Sequence, residues 1–154
     1  MSSNDRFVAR ALVVAGYSVV TVGYLVQCID YSSKDGFHNS FGIELFLYYV
    51  SIPLAYGITG WSWYWLTHMT PSTSEDPKFR RRGLRGLALQ SLVMSIGTFA
   101  ITNAFRTLPD ESVTVLGWLL VGIGGLVVSV GFWFFTSEFG SRGRGATPLA
   151  DRVP

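Results

Sequence analysis

The sequence has very few of the residues that build redox, metal and cofactor sites. It contains one cysteine, Cys28, and two histidines, His38 and His68, in 154 residues. A single cysteine excludes an internal disulfide and a paired-thiol centre. A metal site needs several converging ligands, and haem held by two histidines needs both of them inside the apolar segments. We therefore expect no catalytic residue, no metal site, no cofactor and no enzymatic activity.

Charge is also missing from four long stretches, each long enough to cross a bilayer. They are 19, 23, 20 and 26 residues long and cover 11–29, 45–67, 86–105 and 112–137. A spanning helix needs about 20 mostly apolar residues. The chain is 49% hydrophobic and 14% charged, which is unusual for a soluble domain. The sequence predicts an all-α membrane protein whose domain, 1–139, has four transmembrane helices in two hairpins, at about 7–27, 41–66, 84–104 and 113–135.

The lack of ionisable groups inside these runs limits the possible functions. Asp, Glu, Lys and Arg in a span are the usual mark of an ion or proton path, and none lies within the four runs. Glu44 and Glu138 stand near helix ends instead. The pattern therefore argues against a carboxylate-driven transporter.

Basic residues are present but lie almost entirely on one side of the four predicted spans. Ten of the twelve Lys and Arg fall on the side of the two termini and the middle linker, and only Lys34 and Arg106 fall on the other. Cytoplasmic loops are enriched in Lys and Arg. We therefore predict cytoplasmic termini, a basic cytoplasmic linker at 67–83 and a disordered cytoplasmic tail at 140–154.

The linker leads into a basic cluster that predicts contact with lipid or with a partner. Such clusters beside a membrane attract anionic headgroups by about 1 kcal/mol per residue. The alternative is that they only fix topology. With a formal charge of +2, the chain gives no reason to expect nucleic acid. The predicted headgroup or partner contacts are Lys78, Arg80, Arg81, Arg82 and Arg85.

Small and hydroxylated residues at helical spacing predict where the helices pack. Such residues let helix backbones approach and form hydrogen bonds across the interface in lipid. In the first helix the spacing of Ala11, Ala15 and Ser18 indicates the packing face. In the third and fourth helices the predicted packing residues are Ser91, Ser95, Thr98, Gly122, Gly125 and Ser129.

Helix two is the most irregular, because Pro53 predicts a kink near Tyr49 that is either a static bend or a hinge. Trp61 and Trp65 are predicted on one face and Trp63 on another, as an aromatic belt at the membrane surface. Gln27 and Asp30 are interpreted as interfacial residues at the outer end of helix one, where water is available.

The N-terminus has one alternative interpretation. A lipoprotein signal is compatible with this pattern, in which Arg6 and Arg10 are followed by an apolar run that ends at Cys28. Gln27 argues against it, because the residue before the modified cysteine is normally small. We therefore interpret the stretch as a retained span.

Two functions remain compatible with these patterns. The first is a structural or accessory subunit of a membrane complex or viral envelope, whose partners are the lipid bilayer, anionic lipid headgroups and other membrane protein subunits or copies of itself. The second is a small transport or pore-forming, holin-like protein that acts as an oligomer, with the polar face of helix three lining a path. The lack of titratable groups in the spans favours the first.

Overall fold

The described part of the chain is entirely helical. A computed structural model describes residues 3–33, 50–68, 77–106 and 112–141. These residues form four helices: α1 (Ser3–Ser33), α2 (Ile52–His68), α3 (Pro77–Phe105) and α4 (Ser112–Ser141).

Three of the helices are long and apolar enough to cross a bilayer, which indicates a membrane protein. The candidate spans are Arg6–Asp30, Phe79–Asn103 and Val113–Thr136. Helix α2 is not a candidate, because its 17 residues are fewer than the roughly 20 that a span needs. The remainder of the predicted second span, 41–49, and the expected kink near Tyr49 lie outside the described residues.

Pro53 is the second residue of α2, and the chain is already helical before it. The two residues before the helix, Val50 and Ser51, form a wider π-type turn. Local irregularity is therefore present immediately before the proline.

The other helices extend beyond the boundaries predicted from the apolar runs. Helix α3 begins at Pro77, so the basic half of the predicted linker is helical, and α4 continues to Ser141. Helical hydrogen bonding does not stop where apolar composition stops, and arginine is a good helix former. Of the predicted tail, 142–154 lies outside the described residues.

Helices α1 and α4 are antiparallel and their backbones nearly touch. A methyl group on Gly16 would lie 2.6 Å from Val128 Cγ2, and one on Gly124 would lie 2.7 Å from the Gly16 carbonyl oxygen. The close contacts recur every seven residues, at Gly23 in α1 and at Gly117 and Gly131 in α4. A seven-residue repeat keeps one seam of each helix against the other along its length. Glycine is needed here because any side chain would hold the helices apart.

The face of α1 that packs against α4 differs from the predicted one. Ala11, Ala15 and Ser18 are exposed, so the prediction that they form the packing face is wrong. Small size alone does not determine the interface, because both faces of α1 carry small residues and only one carries glycines. The buried seam consists of Ala9, Val13, Gly16, Val20, Gly23, Gln27 and Asp30.

Helix α4 also packs along α3, and α2 covers part of this assembly. Ser129 Oγ in α4 donates a hydrogen bond of 2.7 Å to the Ala88 carbonyl in α3. Trp63 of α2 contacts Phe132 and Phe135, with ring centroids 6.3 and 6.0 Å away. The core thus consists of α1, α4 and α3, with α2 at its margin.

One end of this arrangement collects basic residues from two helices. The end of α2 meets the start of α3, because a methyl group on Gly83 would lie 2.9 Å from Leu66. The start of α1 meets the end of α4, where Val13 lies against Gly131. The starts of α1 and α3 therefore lie beside the ends of α2 and α4. We call this the basic end, because it carries Arg6, Arg10, Arg80, Arg81, Arg82 and Arg85.

Candidate functional site

The predicted basic cluster occupies the first turns of α3 and is divided between two environments. Arg82 and Arg85 are exposed, and at a spacing of three residues they share one face. Arg80 and Arg81 are half-buried, and Arg81 Nε is buried without a hydrogen-bond partner among the described residues. Lys78 lies in the helix, but its side chain is outside the described part. The outward charges, Arg82 and Arg85, are the ones placed to meet a headgroup.

The predicted packing residues of α3 and α4 lie inside the structure. Ser91 and Ser95 are fully buried, and Thr98 and Ser129 are nearly so. A methyl group on Gly122 would lie 2.9 Å from Phe99, and one on Gly125 would meet both Ser95 Oγ and the Tyr56 hydroxyl.

Three hydroxyl groups of α3, those of Ser95, Thr98 and Thr102, form hydrogen bonds within their own helix. Ser95 Oγ donates to the Ser91 carbonyl at 2.8 Å, and Thr98 Oγ1 donates to the Met94 carbonyl at 2.8 Å. The carbonyl four residues earlier is the nearest acceptor to such a side chain. Because these side chains are small, they let the neighbouring helices come close.

Two buried hydroxyl groups lie near the middle of the assembly with unused hydrogen-bonding capacity. Among the described residues, Tyr56 OH and Ser91 Oγ have no hydrogen-bond partner of acceptable geometry. Tyr56 is 6% exposed, and its hydroxyl lies beside Ser95 Oγ above Gly125. Tyr56 can occupy this position only because residue 125 has no side chain.

A second polar cluster, at the end of the molecule opposite the basic end, was not predicted. Gln27 is 3% exposed and donates a 2.5 Å hydrogen bond to the Thr114 carbonyl, and Thr114 Oγ1 donates to Asp30 Oδ2. Asp30 is 8% exposed, so these two residues at the interfacial end of α1 are buried against α4 rather than open to water. Gly117 makes room for Gln27. The available signal was the seven-residue spacing of Gly16 and Gly23, which continues to Asp30, and the same spacing from Val20 to Gln27.

Replacing Thr114 by valine is expected to destabilise the protein by about 1–2 kcal/mol, because a buried carboxyl group loses one hydrogen-bond donor. Thr114→Ser keeps the hydroxyl and should retain most of the stability. Unfolding in mixed micelles, followed by circular dichroism, measures both variants. Equal stability of Thr114→Val and wild type would show that this hydrogen bond contributes nothing.

Helix α2 meets α1 through one hydrogen bond beside an open groove. Thr59 Oγ1 donates to the Tyr56 carbonyl at 2.8 Å, so Tyr17 OH is the donor in its 2.7 Å bond to Thr59 Oγ1. A groove of about 790 Å³ lies between α1 and α2, and another of about 530 Å³ lies between α2 and the α3–α4 pair. Helix α2 is therefore held by few contacts, with space on both sides.

The aromatic residues of α2 do not all form a surface belt. Trp61 is 70% exposed and Tyr64 is also exposed, as expected for residues that meet lipid or the interface. Trp63 and Trp65 both pack against the apolar core at the basic end. They do so from different sides of α2, since Trp65 lies with Trp61 beside Gly83 of α3 and Trp63 contacts Phe132 of α4. Their role is therefore partly structural.

The described residues were also compared with the requirements of a metal site and the chain with known proteins. Among the described residues, no three His, Cys, Asp or Glu side chains come together as a metal site. No family model, no curated protein and no solved structure matches this chain. Its function must therefore be inferred from its own geometry.

Proposed function

We propose that this protein is a multi-pass membrane protein that acts through contacts, as a structural or accessory subunit of a membrane complex or viral envelope. Its partners are bilayer lipid, anionic headgroups at the basic end, and other membrane subunits or copies of itself. In this proposal the chain crosses the membrane four times as two hairpins, with both termini in the cytoplasm.

The observation that carries this proposal is the contrast between the surface and the interior of the helices. The buried polar side chains of Ser95, Ser129 and Gln27 form hydrogen bonds within or between helices. Outward-facing positions carry large apolar side chains, which suit contact with acyl chains or with other helices. Examples are Val22, Leu25 and Ile29 in α1, Leu89, Val93 and Ile96 in α3, and Leu116, Ile123 and Val130 in α4.

Reconstitution into vesicles tests this function against the alternative of transport. We expect no conductance and no solute uptake above that of empty vesicles, because Ser91 and Ser95 are closed in between helices. Reproducible currents that Ser91→Val or Ser95→Val abolishes would support the small transport or pore-forming, holin-like oligomer instead. Native mass spectrometry of complexes from the source membrane tests the proposal positively. We expect this chain to be recovered in a fixed ratio with another membrane subunit or with copies of itself.

Cysteine labelling in intact cells is expected to place position 74 inside and position 33 outside. Ten of the twelve basic residues flank the same ends of the predicted spans, and orientation follows Lys and Arg. The experiment uses Ser74→Cys and Ser33→Cys in a Cys28→Ser background. Labelling of position 74 but not of position 33 by an impermeant reagent would reverse the proposed orientation.

Replacing Arg80, Arg81 and Arg82 together by glutamine is expected to weaken binding to anionic vesicles. At about 1 kcal/mol per residue near the surface, the loss is at most about 3 kcal/mol, and it should shrink as salt is raised. Vesicle cosedimentation at two salt concentrations measures it, with neutral vesicles as the control. Topology should be kept, because Arg6, Arg10 and Arg85 remain. Equal binding at low salt would leave the cluster without a lipid role.

A further inference from the structure

The groove between α1 and α2 exists because α2 presents glycines where a helix contact would otherwise form. Gly57 has no atom within 4 Å of the position that a methyl group would take, and the nearest atom to such a group on Gly60 is Tyr17 OH at 3.4 Å. The walls are aromatic and aliphatic, with Tyr24 and Leu25 on one side and Trp61 on the other. At about 790 Å³ the groove is within the size range of ligand sites.

One end of the groove leads to positive charge. The groove-lining residues of α1 are Tyr17, Thr21 and Tyr24, whose spacing of four and three residues puts them on one face of the helix. Arg10, seven residues before Tyr17, lies on the same face. Arg10 is exposed and stands two turns, or about 10 Å, before Tyr17. Along α2 the lining residue Tyr64 stacks on exposed His68, with ring centroids 4.6 Å apart. An apolar groove therefore ends at the basic end of the molecule.

We propose that this groove binds one anionic phospholipid, with an acyl chain along the Tyr17–Leu25 face and its phosphate against the Arg10 guanidinium. The charge at one end and the apolar walls beyond it match the two parts of that molecule. Arginine also presents a planar pair of donors that suits phosphate oxygens. The inference rests on the proposed membrane function, because Arg10 must lie at the level of the headgroups.

Lipid binding to the purified full-length chain tests this site directly. Native mass spectrometry from a mild detergent is used, with phosphatidylglycerol and phosphatidylcholine of equal chain length as probes. We expect one phosphatidylglycerol per chain, held in preference to phosphatidylcholine. Gly57→Leu fills the groove and should lower its retention at least tenfold. Arg10→Gln should lower it about fivefold, the equivalent of about 1 kcal/mol.

Two matched variants separate this site from general effects of size and charge. Gly86→Leu adds the same side chain at an exposed glycine that also has no neighbour within 4 Å, and Arg106→Gln removes one exposed charge at the opposite end of the molecule. Both should retain lipid as wild type does. Equal losses in these controls, or no loss in Gly57→Leu and Arg10→Gln, would overturn the site. Helix content and elution volume show whether Gly57→Leu folds. If it does not, the lipid retention of Arg10→Gln, compared with that of the charge control, tests the site.

Two other results would show that the groove has a different occupant or that the protein does not bind membranes. A change from two chains to one in Gly57→Leu would make the groove an interface between copies and overturn the lipid site. Flotation with vesicles separates the two proposals. A chain that floats but holds both lipids equally contradicts only this inference, whereas a chain that does not float contradicts the membrane function as well.

Discussion

Replacing Gly124 by valine is expected to lower the free energy of unfolding by more than about 3 kcal/mol and to prevent α1 and α4 from packing. The reason is the nature of the atoms that the new side chain meets. A methyl group at this position would lie 2.7 Å from the Gly16 carbonyl oxygen and 2.7 Å from the Val20 nitrogen, which are backbone atoms that cannot rotate away. Overpacking typically costs about 1–3 kcal/mol, and more where the surroundings cannot yield. Unfolding in mixed micelles, followed by circular dichroism, provides the measurement.

Gly86→Val is the matched control for this substitution. Gly86 is an exposed glycine inside a helix, and nothing lies within 4 Å of the added group. Its stability should be unchanged or slightly raised, because valine is a somewhat better helix former than glycine. If Gly124→Val and Gly86→Val were equally stable, the close approach of α1 and α4 would have to be abandoned.

Replacing Ser95 by leucine is expected to destabilise the protein by about 1–3 kcal/mol through overpacking. Ser95 is fully buried, and its hydroxyl shares the space above Gly125 with Tyr56. A leucine there would have to displace either Tyr56 or α4. Thermal melting in detergent is the appropriate measurement.

Two controls distinguish size from other causes. Leu92→Ile alters a partly exposed position on the outer side of α3 and should be nearly silent. Ser95→Ala removes the hydroxyl without adding volume and should cost less than Ser95→Leu, since its hydrogen bond lies within the helix. The reverse ranking of Ser95→Leu and Leu92→Ile would refute the assignment of the buried face.

The presence of long helices was predictable from the sequence, whereas their ends were not. Absence of charge locates the part of a helix that fits in hydrocarbon, and three of the four predicted spans correspond to helices of sufficient length. The absence of charge does not indicate where the backbone stops being helical outside the bilayer. This is why α3 begins at Pro77, before its arginines.

The choice of interface in α1 could not be made from α1 alone. Ala11 and Ala15 are as suitable for close packing as Ala9, and what distinguishes the two faces is that Gly16 and Gly23 of one face meet matching glycines of α4. Polar residues at a helix end are likewise ambiguous. Gln27 would face water if α4 did not supply a carbonyl acceptor and the space above Gly117. The deciding information lies in pairs of residues that are far apart in the chain.

The glycine seam between α1 and α4 has a consequence for the order of biosynthesis. The hydrogen bond from Gln27 to Thr114 joins residues 87 positions apart, and the seam runs along both helices. At translation rates of about 5–20 residues per second, α1 waits roughly 4–17 s for the partner that holds it most tightly. During that interval α2 and α3 are the described helices that are available to it, and its glycine face is open to lipid or to a chaperone. Of the four described helices, the one synthesised latest is thus the one that closes the fold.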